Sequence, residues 1–130
     1  MSNVIIYDST GRILRTIVCP PDMNALQVGT GESFIVGVCD QITQYVLNGV
    51  VTNRPTQSTT IDKTAINANG NDVVTISNAP IGATCTISNS ETVTGIIDGT
   101  DTFVTTIPGT YFMTITQFPF LDFTAVINAT

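Results

Sequence analysis

The sequence predicts an all-β protein, a small N-terminal antiparallel β-module followed by a β-sandwich. β-branched and aromatic residues dominate nearly every segment, and roughly one residue in six is threonine, which suits a pleated, half-buried surface. Turn-forming clusters of Gly, Asn, Asp and Pro recur about every eight to twelve residues. Only residues 22–26 offer so much as a single helical turn.

Residues 4–7 form the first strand. Asp8-Ser9-Thr10-Gly11 is a turn whose glycine accepts a positive φ, and 12–18 returns as the second strand. Its facing pattern is imperfect, with Ile13 and Arg15 on one side and Arg12, Leu14 and Thr16 on the other. Cys19-Pro20-Pro21-Asp22 stops the sheet, because proline cannot donate to a ladder. Gly29-Thr30-Gly31 breaks the chain again, and 33–39 is the third strand. The clearest local signal is Asn48-Gly49, set between Gln44-Tyr45-Val46-Leu47 and Val50-Val51-Thr52. A type I′ turn needs two positive φ angles, and Asn-Gly tolerates them best, so this is a hairpin.

The run 53–60 is polar and interrupted by proline, and it divides the chain. The expected layout is a β-module at 1–55, a linker at 56–60 and a sandwich at 61–130. Strands are expected at 61–67, 73–76, 83–88, 92–97, 102–106, 110–116 and 123–127, separated by turns such as Asn69-Gly70, Asp98-Gly99 and Pro108-Gly109. Seven short strands in about seventy residues is the spacing of an immunoglobulin-like sandwich. Within 110–116, Tyr111, Met113 and Ile115 share one face, and Thr110, Phe112, Thr114 and Thr116 the other. Gly109-Thr110-Tyr111 marks a strand start at which a tyrosine hydroxyl ties back to a nearby loop.

Charged residues make up 11% of the chain, against about a quarter in a cytoplasmic monomer. The surface is therefore covered by Thr, Ser, Asn and Gln, as suits a chain that stays assembled or faces the exterior. Net charge is −6, and Arg12, Arg15, Arg54 and Lys63 are the only fixed cations. Four cations supply neither a phosphate-tracking surface nor a polybasic membrane patch, so neither nucleic acid nor membrane is an expected partner. Apolar runs such as 34–39 are too short to span a bilayer. The first residues lack the basic and long apolar regions of a secretory signal, so synthesis in the cytoplasm is expected.

Little in the chain points to catalysis. Histidine, the commonest general base and metal ligand, is absent. Cys19, Cys39 and Cys85 form no Cys-x-x-Cys pair and have no adjacent cation to activate them. Gly29-Thr30-Gly31-Glu32 and Asn69-Gly70-Asn71-Asp72 lack the spacing of phosphate-binding loops. Asp98 and Asp101 share one turn and Asp72 sits in another. Calcium wants six or more oxygens, so these read as turn residues that bond local backbone. No catalytic, cofactor-binding or metal-binding residue is expected, and no cofactor.

Two features remain open. The three cysteines are buried reduced thiols, or Cys19 and Cys39 form an intrachain bridge, or the thiols bridge subunits of an assembly. The densest aromatic cluster, Phe118-Pro119-Phe120-Leu121-Asp122-Phe123, packs the bottom of the sandwich, or presents Phe118, Phe120 and Phe123 as a contact patch for a partner. A glycan-recognition alternative needs an aromatic platform, for which Tyr45, Tyr111 or an exposed Phe is available.

A resemblance narrows the class of protein. Tyr7-Asp8-Ser9-Thr10-Gly11-Arg12-Ile13 leads into Pro20-Pro21, then Gly31-Glu32, then Gln44-Tyr45-Val46-Leu47-Asn48-Gly49-Val50-Val51, and closes with Arg54-Pro55. This pattern resembles the small virion proteins of tailed bacteriophages. The second unit is similar to the immunoglobulin-like domains appended to phage capsid and tail proteins, through 66–72, 79–83 and Pro108-Gly109-Thr110-Tyr111. The resemblance implies a non-enzymatic structural protein located in the virion, tail-associated or capsid-decorating. It implies other virion proteins, capsid or tail, as partners, and a homo-oligomer or multi-copy assembly. The N-terminal module would dock and the sandwich would project. A receptor- or glycan-recognition module at the particle surface is the alternative.

Overall fold

A computed structural model describes residues 1–130, and the fold is all-β. The chain divides into two compact units, Met1–Pro55 and Thr56–Thr130.

In the first unit β1 (Ser2–Asp8) lies between β2 (Ile13–Cys19) and β3 (Glu32–Val36), antiparallel to both. The run Val4-Ile5-Ile6 is fully buried because both faces of β1 are covered. Val4 and Ile6 pack with Cys19, Phe34 and Val28 on one side. Ile5 packs with Ile13 and Val46 on the other. The imperfect pattern of β2 has a cause. The register slips between Ile6↔Arg15 and Tyr7↔Ile13, which makes Leu14 the extra residue of a bulge. The bulge sends Ile13 to one face of the sheet and Ile17 to the other, so both find a core.

After β2 the chain turns through a 3-10 helix, Pro21–Gln27, where a single helical turn is expected. Proline fits its first position, where no amide donor is needed. Asn24 is buried there, and its side-chain oxygen accepts from Ser2 Oγ at 2.9 Å and Cys19 Sγ at 3.2 Å. β4 (Gln44–Leu47) and β5 (Val50–Asn53) form the expected hairpin, with φ of 51° at Asn48 and 78° at Gly49. β3 is shorter than the expected strand 33–39. It ends at Val36, and the amide of the next residue, Gly37, bonds the Asn3 carbonyl at 2.9 Å.

Residues 56–60, expected as a linker, belong to the second unit. Gln57 Nε2 donates to the carbonyls of Ile115 (2.7 Å) and Leu121 (2.9 Å), and Thr59 is buried. A polar composition reads as a loop, yet here one amide side chain satisfies two carbonyls and ties the segment down.

The second unit has eight strands rather than seven, because the expected strand 61–67 is two. β6 (Thr60–Ile61) joins β8 (Val74–Ser77) and β11 (Asp101–Phe103) in a three-stranded sheet, order β11-β8-β6. β7 (Ala65–Ile66) joins the other sheet, pairing in parallel with β13 (Phe123–Ala129). That sheet is completed by β9 (Thr84–Ser88), β10 (Thr92–Ile96) and β12 (Gly109–Thr116), order β10-β9-β12-β13-β7. Between β6 and β7 the chain changes sheets, and Asp62 holds the corner by accepting the Thr75 amide at 2.7 Å.

The two sheets share one core. Val74 and Ile76 from the three-stranded sheet meet Tyr111, Met113, Ile115 and Ile127 from the other. Each fully buried aliphatic side chain here contributes roughly 1.5–3 kcal/mol. Tyr111 enters the core with its ring 5.0 Å from that of Phe103, while its hydroxyl donates to the Ile107 carbonyl at 2.8 Å.

Candidate interaction surfaces

The aromatic cluster around Pro119 is divided by its backbone. Phe118 and Phe120 flank Pro119 in a tight turn closed by the Phe120 amide on the Gln117 carbonyl at 2.8 Å, and both are half-buried. Phe123 opens β13 and packs against the sandwich core. Tyr45 and Tyr111 are both buried. The aromatic ring most open to solvent is Phe112, which is 55% exposed at the middle of β12.

Phe112 lies on the outer face of the five-stranded sheet, opposite Tyr111, Met113 and Ile115. Strand register builds that face row by row. Thr94, Thr86, Thr114 and Thr124 lie side by side across four strands. On one side of them run Ile96, Thr84 and Thr116, and on the other Thr92, Ser88, Phe112 and Val126. None of these residues is charged. The alternation over 110–116 already sets Phe112 apart from the core face. The sequence cannot supply the register that brings Val126 beside it and aligns four separate threonines.

A second surface lies on the open side of the sandwich, where β10 and β11 are the edges of their sheets. A cavity of about 440 Å³ there is lined by Ile87, Val93, Phe103 and Ile107 among others, and a smaller one of about 170 Å³ by Ile87, Val93, Gly95 and Asp101.

The cysteines are dispersed thiols. Cys19 is buried beside Asn24, while Cys39 and Cys85 are half-buried and belong to different units. Burial pushes the thiols of Cys39 and Cys85 up from their ordinary value, with the charges of Asp40 and Asp101 adding to it. The carboxylates are occupied by local partners. Asp98 accepts the Thr100 amide at 3.1 Å, and Asp101 accepts the amides of Gly99 (3.1 Å) and Asp98 (3.3 Å). Asp72 pairs with Lys63 at 2.6 Å and accepts the Asn67 amide at 2.8 Å, and these bonds hold it below the usual carboxylate range. Glu32 is held at about 2 by Arg15 and the Gly29 amide. Each group whose surroundings shift it is moved away from neutrality, the acids downward and the thiols upward.

Comparison with protein-family models, curated proteins and solved structures finds no match to this chain.

Proposed function

We propose that this chain is a non-enzymatic structural component of a tailed bacteriophage virion, acting through protein–protein contacts, with an immunoglobulin-like second unit. The observation that carries the reading is the uncharged outer face of the five-stranded sheet, with Phe112 and Val126 side by side among threonines. Interface cores are depleted in charge, and this face carries none around its one exposed aromatic ring.

Strand order and the Tyr111–Ile107 bond support the immunoglobulin-like assignment. A tyrosine near the start of the penultimate strand, bonded to backbone a few residues upstream, is a feature of that class. Turn and hairpin motifs of the first unit supply the phage resemblance.

The test is mass spectrometry of purified particles from the phage that encodes the chain, with stoichiometry against the major capsid protein. A copy number near that of the capsid protein means decoration, and a handful per particle means tail or vertex. Absence from particles overturns the reading. Phe112→Asp changes an exposed ring, so it should fold normally and lower the number of copies incorporated.

Phe112 also favours a second reading, recognition of a glycan at the particle surface. Binding on a glycan array that disappears in Phe112→Ala selects it over the first.

A further inference from the structure

The two sheets of the second unit differ in width on one side. There the five-stranded sheet ends at β10 and the three-stranded sheet at β11, and no strand pairs with the outer edge of either. Val93 shows the consequence. Its register partner is Ile87, which packs on the sandwich core, so Val93 faces the inside of the sandwich. Even so, it is 68% exposed. An inward apolar side chain is ordinarily covered by the opposing sheet, which here is one strand short.

The two cavities on this side share Ile87 and Val93, so they are the ends of one groove. β9 and β10 form its floor and β11 its wall. Glu91 lines one end and Asp101 the other, with no Lys or Arg lining either.

We propose that the groove accepts an extended segment of another polypeptide as a fourth strand on β11, apolar at alternating positions and carrying a lysine or arginine at the rim. The unpaired edge of β11 offers backbone donors and acceptors along the groove, which is how an added strand is held. Successive side chains of a strand point to opposite faces, so every second residue of the guest meets Val93 and Ile87. The acidic rim selects a cationic guest. A second copy of this chain fits poorly. Of the chain's four cations, Lys63 pairs with Asp72, Arg15 pairs with Glu32, Arg12 lies beside the Asp8 carboxylate and Arg54 donates to the Ile42 carbonyl at 2.9 Å, while β10 carries no charge at all.

Gly95 supplies the test. It lines the groove, and a Cβ placed there meets no atom within 4 Å. Gly95→Ile therefore fills the groove while favouring the strand conformation. The probe is a fluorescein-labelled peptide, Lys-Val-Thr-Val-Thr-Val-Lys, titrated into the full chain and followed by anisotropy and amide NMR. The expected result is saturable binding, with slowed amide exchange at Asp101–Phe103 and affinity reduced at least about tenfold by Gly95→Ile. Glu91→Lys, in an exposed loop, should also weaken binding, and by less at high salt. Absence of saturable binding up to about 1 mM peptide, in the weakest range of specific association, overturns the proposal. So does binding that both variants leave unchanged, or protection confined to other strands. Self-association of the chain alone that Gly95→Ile abolishes would make the guest a second copy and overturn the assignment to another polypeptide.

Discussion

The backbones of Gly11 and Val46 meet so closely that no side chain fits between them. The Val46 amide donates to the Gly11 carbonyl at 2.8 Å, and the Val46 carbonyl oxygen lies 2.0 Å from where a Cβ on Gly11 would stand. Gly11 has a φ of 90°, which an L side chain adopts only under strain. This contact seats the β4–β5 hairpin on the β2-β1-β3 sheet. Gly11→Ala should cost about 2–4 kcal/mol, from the strained φ and the displaced carbonyl together. Urea denaturation gives the total, and loss of exchange protection at the Val46 amide would locate it.

Arg15 and Glu32 reach across β1 from the two outer strands of that sheet. Both terminal nitrogens of the guanidinium, Nη2 and Nη1, donate to the carboxylate, at 2.7 and 3.0 Å, and the Gly29 amide adds a bond at 2.7 Å. These contacts, Arg15 first, lower Glu32 from its ordinary 4.5 to about 2. A depressed carboxylate contributes stability above its unfolded value and loses it as pH falls through the folded one. The contribution should therefore persist at neutral pH and fade between roughly pH 4.5 and pH 2. Carboxyl NMR titration of Glu32 should show the low value, and Arg15→Met should move it back up. A midpoint near 4.5 in the unmodified chain would contradict this.

The hydroxyl of Tyr111 closes the corner between Ile107 and β12. Tyr111→Phe keeps the buried ring and removes two hydrogen bonds, with the Ile107 carbonyl (2.8 Å) and the Thr105 hydroxyl (2.9 Å), each worth about 1 kcal/mol. For a domain of this size each bond lost corresponds to a fall in Tm of about 4–8 °C. An unchanged Tm would mean that water replaces the hydroxyl without loss.

Thiol reactivity should follow burial. Cys19 is buried, and Cys39 and Cys85 are raised above their ordinary value, so the reactive thiolate is a minor species of both at pH 7.5. Iodoacetamide should label the native chain slowly at all three sites and completely after denaturation. Rapid labelling of Cys39 or Cys85 in the native chain would show that these thiols are activated. Non-reducing gels would report any bridging between chains.

Features that depend on neighbouring residues were legible in the sequence, and those that depend on distant ones were not. Asn48-Gly49 specifies its own turn, so the hairpin was readable. The alternation in 110–116 likewise separated the buried from the exposed side of β12. The bulge at Leu14 inserts one residue and reverses the facing pattern, which appears in sequence only as imperfection. The division of 61–67 between two sheets leaves two-residue strands, too short for any period. Gln57 reads as a polar loop residue because its carbonyl partners are contributed by Ile115 and Leu121. Phe112 was visible as an outward residue, but its setting depends on β9 and β13, which lie far from it in sequence.

The parallel pairing of β7 with β13 also sets an order of events during synthesis. Ile66 finds its register partner only at Ala129. At about 5–20 residues per second, a ribosome needs roughly 3 to 12 seconds to make the intervening chain. The β4–β5 hairpin can form within microseconds of leaving the ribosome. A nascent chain of this protein should thus acquire its first unit early, while β7 stays unpaired until β13 has been made.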